Sequence, residues 1–374
     1  MKKQILIVMI IALCIVFAGC GAAKDAPVLE DCAIEHDVKY GNINAMISID
    51  DFHALGFEFG DSLNVAFSNG YKMEDLPYYN GFYVDIGDPE VIGYPGAETI
   101  QITVNYGEDP WETAGVTDKD TVTISLAEKG KYKSIQDALD LQYSDDRADY
   151  ESDVVFGNFR AVRCAEIKPD TLYRSASPCD NKYGRATCVD DLCEAEGIQY
   201  IMNLSDSSEE IEDFIEEEDF DSDYFLPLYE SDNVIPLDMN ADYHSEEFAR
   251  KVAEGFVAIS EQEGPYLIHC VEGKDRTGFV CALAEALAGA SYEEIVEDYM
   301  LTYENYYGIT EESDPESYDA IKTLNIDGML TYLAGCEAEE LPSADLAAGA
   351  RKYLRSAGMS DAQIDAFLER IAQN

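Results

Sequence analysis

The sequence predicts two folds in series: a small all-β barrel or sandwich over residues 36–127 and, across a connecting stretch at 128–152, an α/β domain over 153–374 with a mostly parallel sheet flanked by helices. Three observations predict this. The first part carries short β-branched and aromatic runs punctuated by Gly, Asp, Asn and Pro, as small barrels and sandwiches do. The second part alternates strand-like apolar runs with helical periodicity, the pattern of a parallel sheet covered by helices. Finally, 47% of the 374 residues are hydrophobic, with 25 Tyr and 15 Phe, so the chain can bury a core although 76 acidic against 25 basic side chains give a net charge of −51. Acidic chains stay disordered only when apolar content is low. The length suits about two domains of ~100–200 residues. The charge argues against nucleic acid as a partner and requires any anion site to be built locally.

Taken in chain order, residues 1–19 read as a targeting leader. Lys2 and Lys3 precede an uncharged apolar run at 5–18, which ends in Gly19-Cys20. This resembles a bacterial lipoprotein signal, which implies cleavage before Cys20, acylation of Cys20 and a membrane contact through the lipid. The alternative is an uncleaved anchor over 5–23, just long enough to span a bilayer. Both expectations put the rest of the chain outside the cytoplasm of a bacterium. Of the ten cysteines, Cys14 leaves with the leader. Export permits disulfides among Cys164, Cys179, Cys188 and Cys193, with the connectivity open. Cys188 and Cys193 lack zinc-knuckle spacing and have no histidine nearby, so no metal and no cofactor is expected.

Strands are expected at 44–49, 63–67, 82–86, 99–105 and 121–126. The residues Tyr40-Gly41-Asn42, Asp51, Leu55-Gly56, Gly60-Asp61, Val65, Ile102-Thr103-Val104-Asn105-Tyr106-Gly107, Gly115 and Asp120-Thr121-Val122 resemble the C-terminal β-barrel of S-adenosylmethionine hydroxide adenosyltransferases. That family's larger N-terminal domain, which supplies most of its active site, is missing here. The resemblance therefore implies a binding or spacer module and not the chemistry. The polar stretch that follows is expected to be helical around 134–141. Further on, 200–203 and 266–269 read as buried strands. Phe248, Val252, Phe256 and Ile259 form one face of an amphipathic helix with Ser245 as its N-cap. The segment 206–223 holds eleven acids and no base, and reads as a solvated face.

The chemistry lies in His269-Cys270-Val271-Glu272-Gly273-Lys274-Asp275-Arg276-Thr277-Gly278, which ends an apolar strand and opens a helix expected at 279–287. A tight loop at a helix N-terminus points backbone N–H groups inward and adds the positive end of the helix dipole, so it stabilises a dianion without bulk basicity. Gly273 lets the backbone turn, and Arg276 can grip two phosphate oxygens through its planar fork. The same field favours a nucleophilic thiolate at Cys270. His269 is expected to organise the loop rather than titrate.

A cysteine followed by arginine after five residues, then Thr-Gly, resembles the phosphate loop of cysteine-dependent protein tyrosine phosphatases. The fuller string resembles a bacterial tyrosine/lipid phosphatase branch. Gly157-Asn158-Phe159-Arg160, Leu172-Tyr173-Arg174-Ser175-Ala176 and Asp298-Tyr299-Met300-Leu301-Thr302 agree with it, so the resemblance spans 154–371. It implies a tyrosine phosphatase-like fold, Cys270 as nucleophile and Arg276 as phosphate clamp. Val271, Glu272, Gly273, Lys274, Thr277 and Gly278 then line the substrate, and Lys274 with Asp275 is associated with broad or lipid specificity. Where relatives carry Asp-Leu-Arg this chain reads Asn203-Leu204-Ser205, so the proton donor must lie elsewhere. Asp275 is expected first and Asp238 next, with Asp232 and Asp242 also upstream. Glu272 is unusual in an anion site and is expected to point outward. The implied substrates are phosphotyrosine in protein, with phosphoserine, phosphothreonine or phosphoinositides. Soluble inositol polyphosphates are the second reading, and a surface lipoprotein with a degenerate phosphatase domain that only captures ligands is the third.

Overall fold

A computed structural model describes residues 26–373 apart from 165 and 219. The leader and Cys20 lie outside the described residues. Seven strands close into a barrel: β1 (Val28–His36), β2 (Ile43–Ala45), β3 (Ser62–Phe67), β4 (Lys72–Tyr79), β5 (Pro89–Ile92), β6 (Ile100–Val104) and β7 (Thr121–Glu128), in the order β1-β2-β6-β5-β4-β3-β7. Only the β4–β5 pair is parallel. Alternation along the strands turns Leu63, Val65 and Phe67, with Ile100, Ile102, Val122 and Ile124, into the lumen, where they pack with Phe52 and Phe57.

Several local expectations need correction. The barrel begins at Val28, ahead of residue 36. The strand expected at 44–49 stops at Ala45, because the Ser48 hydroxyl accepts from Asp51 N at 3.1 Å and caps a helix over Ile49–Ala54. Residues 82–86 form no strand. This stretch lies between two parallel neighbours, which need a crossover, and it is bounded by Gly81 and by Gly87 at φ +95°. The connection contains a helix, Lys133–Leu139, packed against the helix Pro315–Ile321.

The second sheet has five strands: β8 (Arg160–Ala161), β9 (Leu172–Ser175), β10 (Tyr200–Asn203), β11 (Val234–Pro236) and β12 (Tyr266–His269), in the order β11-β10-β12-β9-β8. All pairs are parallel except β8–β9. Period-two alternation sends Tyr200, Met202, Tyr266 and Ile268 to one face and Ile201, Leu267 and Tyr173 to the other, each face having its own apolar cluster. The helix Glu246–Glu261, capped by Ser245 as expected, covers the first face with the helix Asp275–Ala288. That second helix starts at Asp275 rather than at 279, so it already includes Asp275 and Arg276. The eight described cysteines are all free, including Cys164, Cys179, Cys188 and Cys193.

Candidate active site

Cys270 directly follows β12 at the carboxyl end of the central strand, where open α/β sheets place their ligands. It is buried. The loop after it is shaped by contacts from outside. Val271 O accepts from Ser177 N at 3.1 Å, Glu272 O from the Tyr306 hydroxyl at 2.7 Å, and Gly273 O from Arg174 Nη2 at 3.0 Å and Asn158 Nδ2 at 3.1 Å. In a trans peptide the N–H points opposite to the C=O. Drawing three successive carbonyls outward therefore turns the amides of Glu272, Gly273 and Lys274 toward the other side, at the N-terminus of Asp275–Ala288. Gly273 sits at φ +67°, and a Cβ there would meet Ser175 O at 2.3 Å. Only glycine fits.

The residues that grip the loop are themselves fixed by a buried ion network. Asp298, on the helix Tyr292–Tyr307, accepts from Arg160 Nε at 3.0 Å and from Arg174 Nη1 at 2.5 Å. Arg160 Nη1 also donates to Asn158 Oδ1 at 2.5 Å, and Asn158 Nδ2 reaches Thr302 Oγ1 at 3.2 Å. Burial alone would raise the Asp298 carboxyl, but the two guanidinium groups hold it below the usual range. The segments 157–160, 172–176 and 298–302 thus share one structural task, which is to hold the loop from behind. His269 is buried, and desolvation pushes its pKa down to about 3. It therefore stays neutral at working pH.

Arg276 donates from Nη1 to Met239 O at 2.7 Å and lines an open cleft of about 510 Å³ with Val271, Asp180, Lys182, Asp206 and Glu210. Asp275 is half exposed at the first turn of its helix and accepts from Lys274 Nζ at 3.2 Å. Asp238 is exposed beside Met239, with its N–H donating to Asp206 O at 3.1 Å. Asp242 binds His244 N at 3.1 Å through its carboxylate. Asp232 corrects an expectation: it precedes β11 and so lies at the amino-terminal end of the parallel strands, opposite the loop.

Two residues were missed from sequence. Asp206 follows β10 and lines the cleft, and its carboxylate accepts from Asn203 Nδ2 at 2.9 Å. Burial raises its pKa, although hydrogen bonds and the Arg276 charge oppose this. Its only sequence signal was its place just beyond a strand's carboxyl end. Tyr143, in the polar connection, had none, yet its hydroxyl donates to the Glu272 carboxylate.

The profile of the tyrosine phosphatase family matches residues 156–373. A tyrosine-protein phosphatase of Nostoc commune is 28% identical over 236 residues, covering 57% of this chain and 78% of that protein.

Proposed function

The chain belongs to the tyrosine phosphatase family, and from that premise we propose that it hydrolyses phosphomonoesters, phosphotyrosine in protein foremost, through a phosphocysteine intermediate. The observation that carries this reading is the placement of Cys270 at the end of the central strand, followed by a loop whose three carbonyls are bonded from outside and by Arg276 at the first turn of the next helix. The Cys270 thiolate attacks phosphorus, and the bond from phosphorus to the ester oxygen breaks. The amides and Arg276 hold the equatorial oxygens, over which transition-state charge spreads. The departing alcohol takes a proton from Asp275. Water then attacks the phosphocysteine and gives a proton back to that carboxylate, and the P–S bond breaks to release phosphate and the thiolate. Asp206 is the alternative donor, favoured by its buried position in the cleft, and Asp238 stands third. Asp180, Asp206 and Glu210 beside Arg276 favour a single phosphate over a polyphosphorylated ring.

The test is turnover of p-nitrophenyl phosphate, a phosphotyrosine peptide, phosphoinositides and phytate by wild type and Cys270→Ser. The expected loss in the variant is about 10⁴-fold or more. Equal inactivity of both proteins on every substrate would replace the enzyme with a ligand-capturing module, and a phytate preference would reverse the substrate order. Asp275→Asn and Asp206→Asn identify the donor, since only its loss removes the basic limb of the pH–rate profile. The reading includes export and a lipid anchor at Cys20, supported by the leader sequence. Cys20→Ala should move the protein out of the membrane fraction, and an unchanged distribution would count against the anchor.

A further inference from the structure

The loop contains an acid, Glu272, at a place where a negative charge opposes anion binding, and the structure shows what restrains it. Two stacked tyrosines grip this one residue. Tyr306 donates its hydroxyl to the Glu272 carbonyl at 2.7 Å, and Tyr143, stacked on Tyr306 with ring centroids 5.2 Å apart, donates its hydroxyl to the Glu272 carboxylate. Tyr143 comes from the connection between barrel and α/β domain, more than a hundred residues from the loop, and it is firmly seated. The Arg185 guanidinium lies 4.9 Å from its ring centroid, donates to Ser144 O at 3.2 Å and pairs with Asp145 at 3.1 Å. Arg185 is itself buried. The loop's two cations are engaged elsewhere, Lys274 with Asp275 and Arg276 with Met239 O, and among the described residues no ion pair joins either to Glu272.

We propose that Tyr143 is a positioning residue of the anion site: its hydroxyl tethers the Glu272 carboxylate to the connecting segment, so that this charge, although felt at Lys274, closes no ion pair with Lys274 or Arg276 and is held back from the incoming phosphate. The inference rests on the phosphatase reading for its consequence in turnover, but its physical content is anion affinity. Burial and the bond to Glu272 keep the Tyr143 phenol protonated well above the ordinary tyrosine range, so the donor is present across the working range. A hydrogen bond to an ionised group is among the stronger single contacts a side chain makes. Without it, the carboxylate is free to swing to the nearest cation, and the cations of the loop are near neighbours in sequence. The connecting segment would then be a working part of the phosphate site and not a spacer.

The experiment measures orthophosphate affinity by calorimetry, and steady-state kinetics with p-nitrophenyl phosphate, for the full chain carrying Tyr143→Phe, Glu272→Gln or both. Phenylalanine keeps the stacking on Tyr306 and removes only the donor. Tyr143→Phe should weaken phosphate binding and raise KM about tenfold, with a smaller change in kcat. The double variant should recover to within about twofold of wild type, because the charge to be restrained is gone. A double variant as impaired as Tyr143→Phe would mean that Tyr143 only supports the fold, and unchanged affinity in Tyr143→Phe would remove the tether altogether. Should Tyr143→Phe not fold, Glu272→Gln decides: the proposal requires equal or tighter phosphate binding, and weaker binding overturns it. If wild type binds phosphate but turns over nothing, the phosphatase reading fails while the affinity series still tests the tether.

Discussion

At Gly273 a positive φ and a carbonyl 2.3 Å from any Cβ coincide, so the residue is fixed twice over by sterics. Gly273→Ala must either open the loop or push Ser175, the end of β9, away from β12. Either change displaces inward amides by a fraction of an ångström or more, and misplacement on that scale costs heavily in an oriented site. The expected outcome is a fall in kcat/KM on p-nitrophenyl phosphate of about a hundredfold or more with the fold retained, read by steady-state kinetics beside a thermal melt. An alanine variant with near wild-type turnover would show that the loop tolerates a different path. Residues of this kind were legible in the sequence, because Gly273, Cys270 and Arg276 act within one short string. Asp206 and Tyr143 were not, because their roles depend on contacts that only the fold creates. Tyr143 meets Glu272 across 129 positions of chain.

Among the elements, legibility followed local signal strength. β10 and β12 are uninterrupted apolar runs, and the Glu246–Glu261 helix has both a cap and a clean periodicity, so their bounds were readable. β4 contains Pro77 and three charged residues, β5 opens with Pro89, and β1 carries acids on its outer side, so none read as a strand until barrel closure supplied the partners. β5 also holds a testable anomaly. Glu90 is fully buried, with one carboxylate oxygen accepting from Tyr83 N at 3.3 Å and the other without a partner among the described residues. Desolvation raises its pKa to about 8. Between the ordinary glutamate value and 8 the folded state therefore holds a proton that the unfolded state does not. Stability falls as pH rises through that window, by up to about 1.4 kcal/mol per unit. Glu90→Gln removes the dependence. Its stabilisation should be small near pH 5, grow to pH 8 and then level off, as measured by denaturant unfolding across the range. A gain that does not change with pH would show that Glu90 does not titrate in this way.

Over the whole molecule, the net charge of −51 deepens by two if the leader departs with Lys2 and Lys3, and the cleft itself carries Asp180, Asp206 and Glu210 beside Arg276. A phosphate site survives in this field because its attraction is short-ranged: amides, a helix end and one guanidinium act within a few ångströms, where solvent ions screen little. The repulsion from the rest of the surface is long-ranged, and a Debye length of about 10 Å at 0.1 M salt removes much of it. The two contributions therefore separate with ionic strength. Raising salt from about 20 to about 150 mM should increase kcat/KM several-fold for a polyanion such as phytate or a phosphoinositide vesicle, through faster encounter. The same change should lower kcat/KM for a phosphotyrosine peptide flanked by lysine or arginine, whose approach the acidic surface assists. Aryl phosphate, with one dianion and no extended charge, should lie between them. Opposite slopes for the polyanion and the basic peptide would show that bulk charge selects substrates while the loop performs the chemistry. A monotonic fall for all three substrates would mean that the acidic surface has no part in the selection, because salt would then act only by competing at the loop.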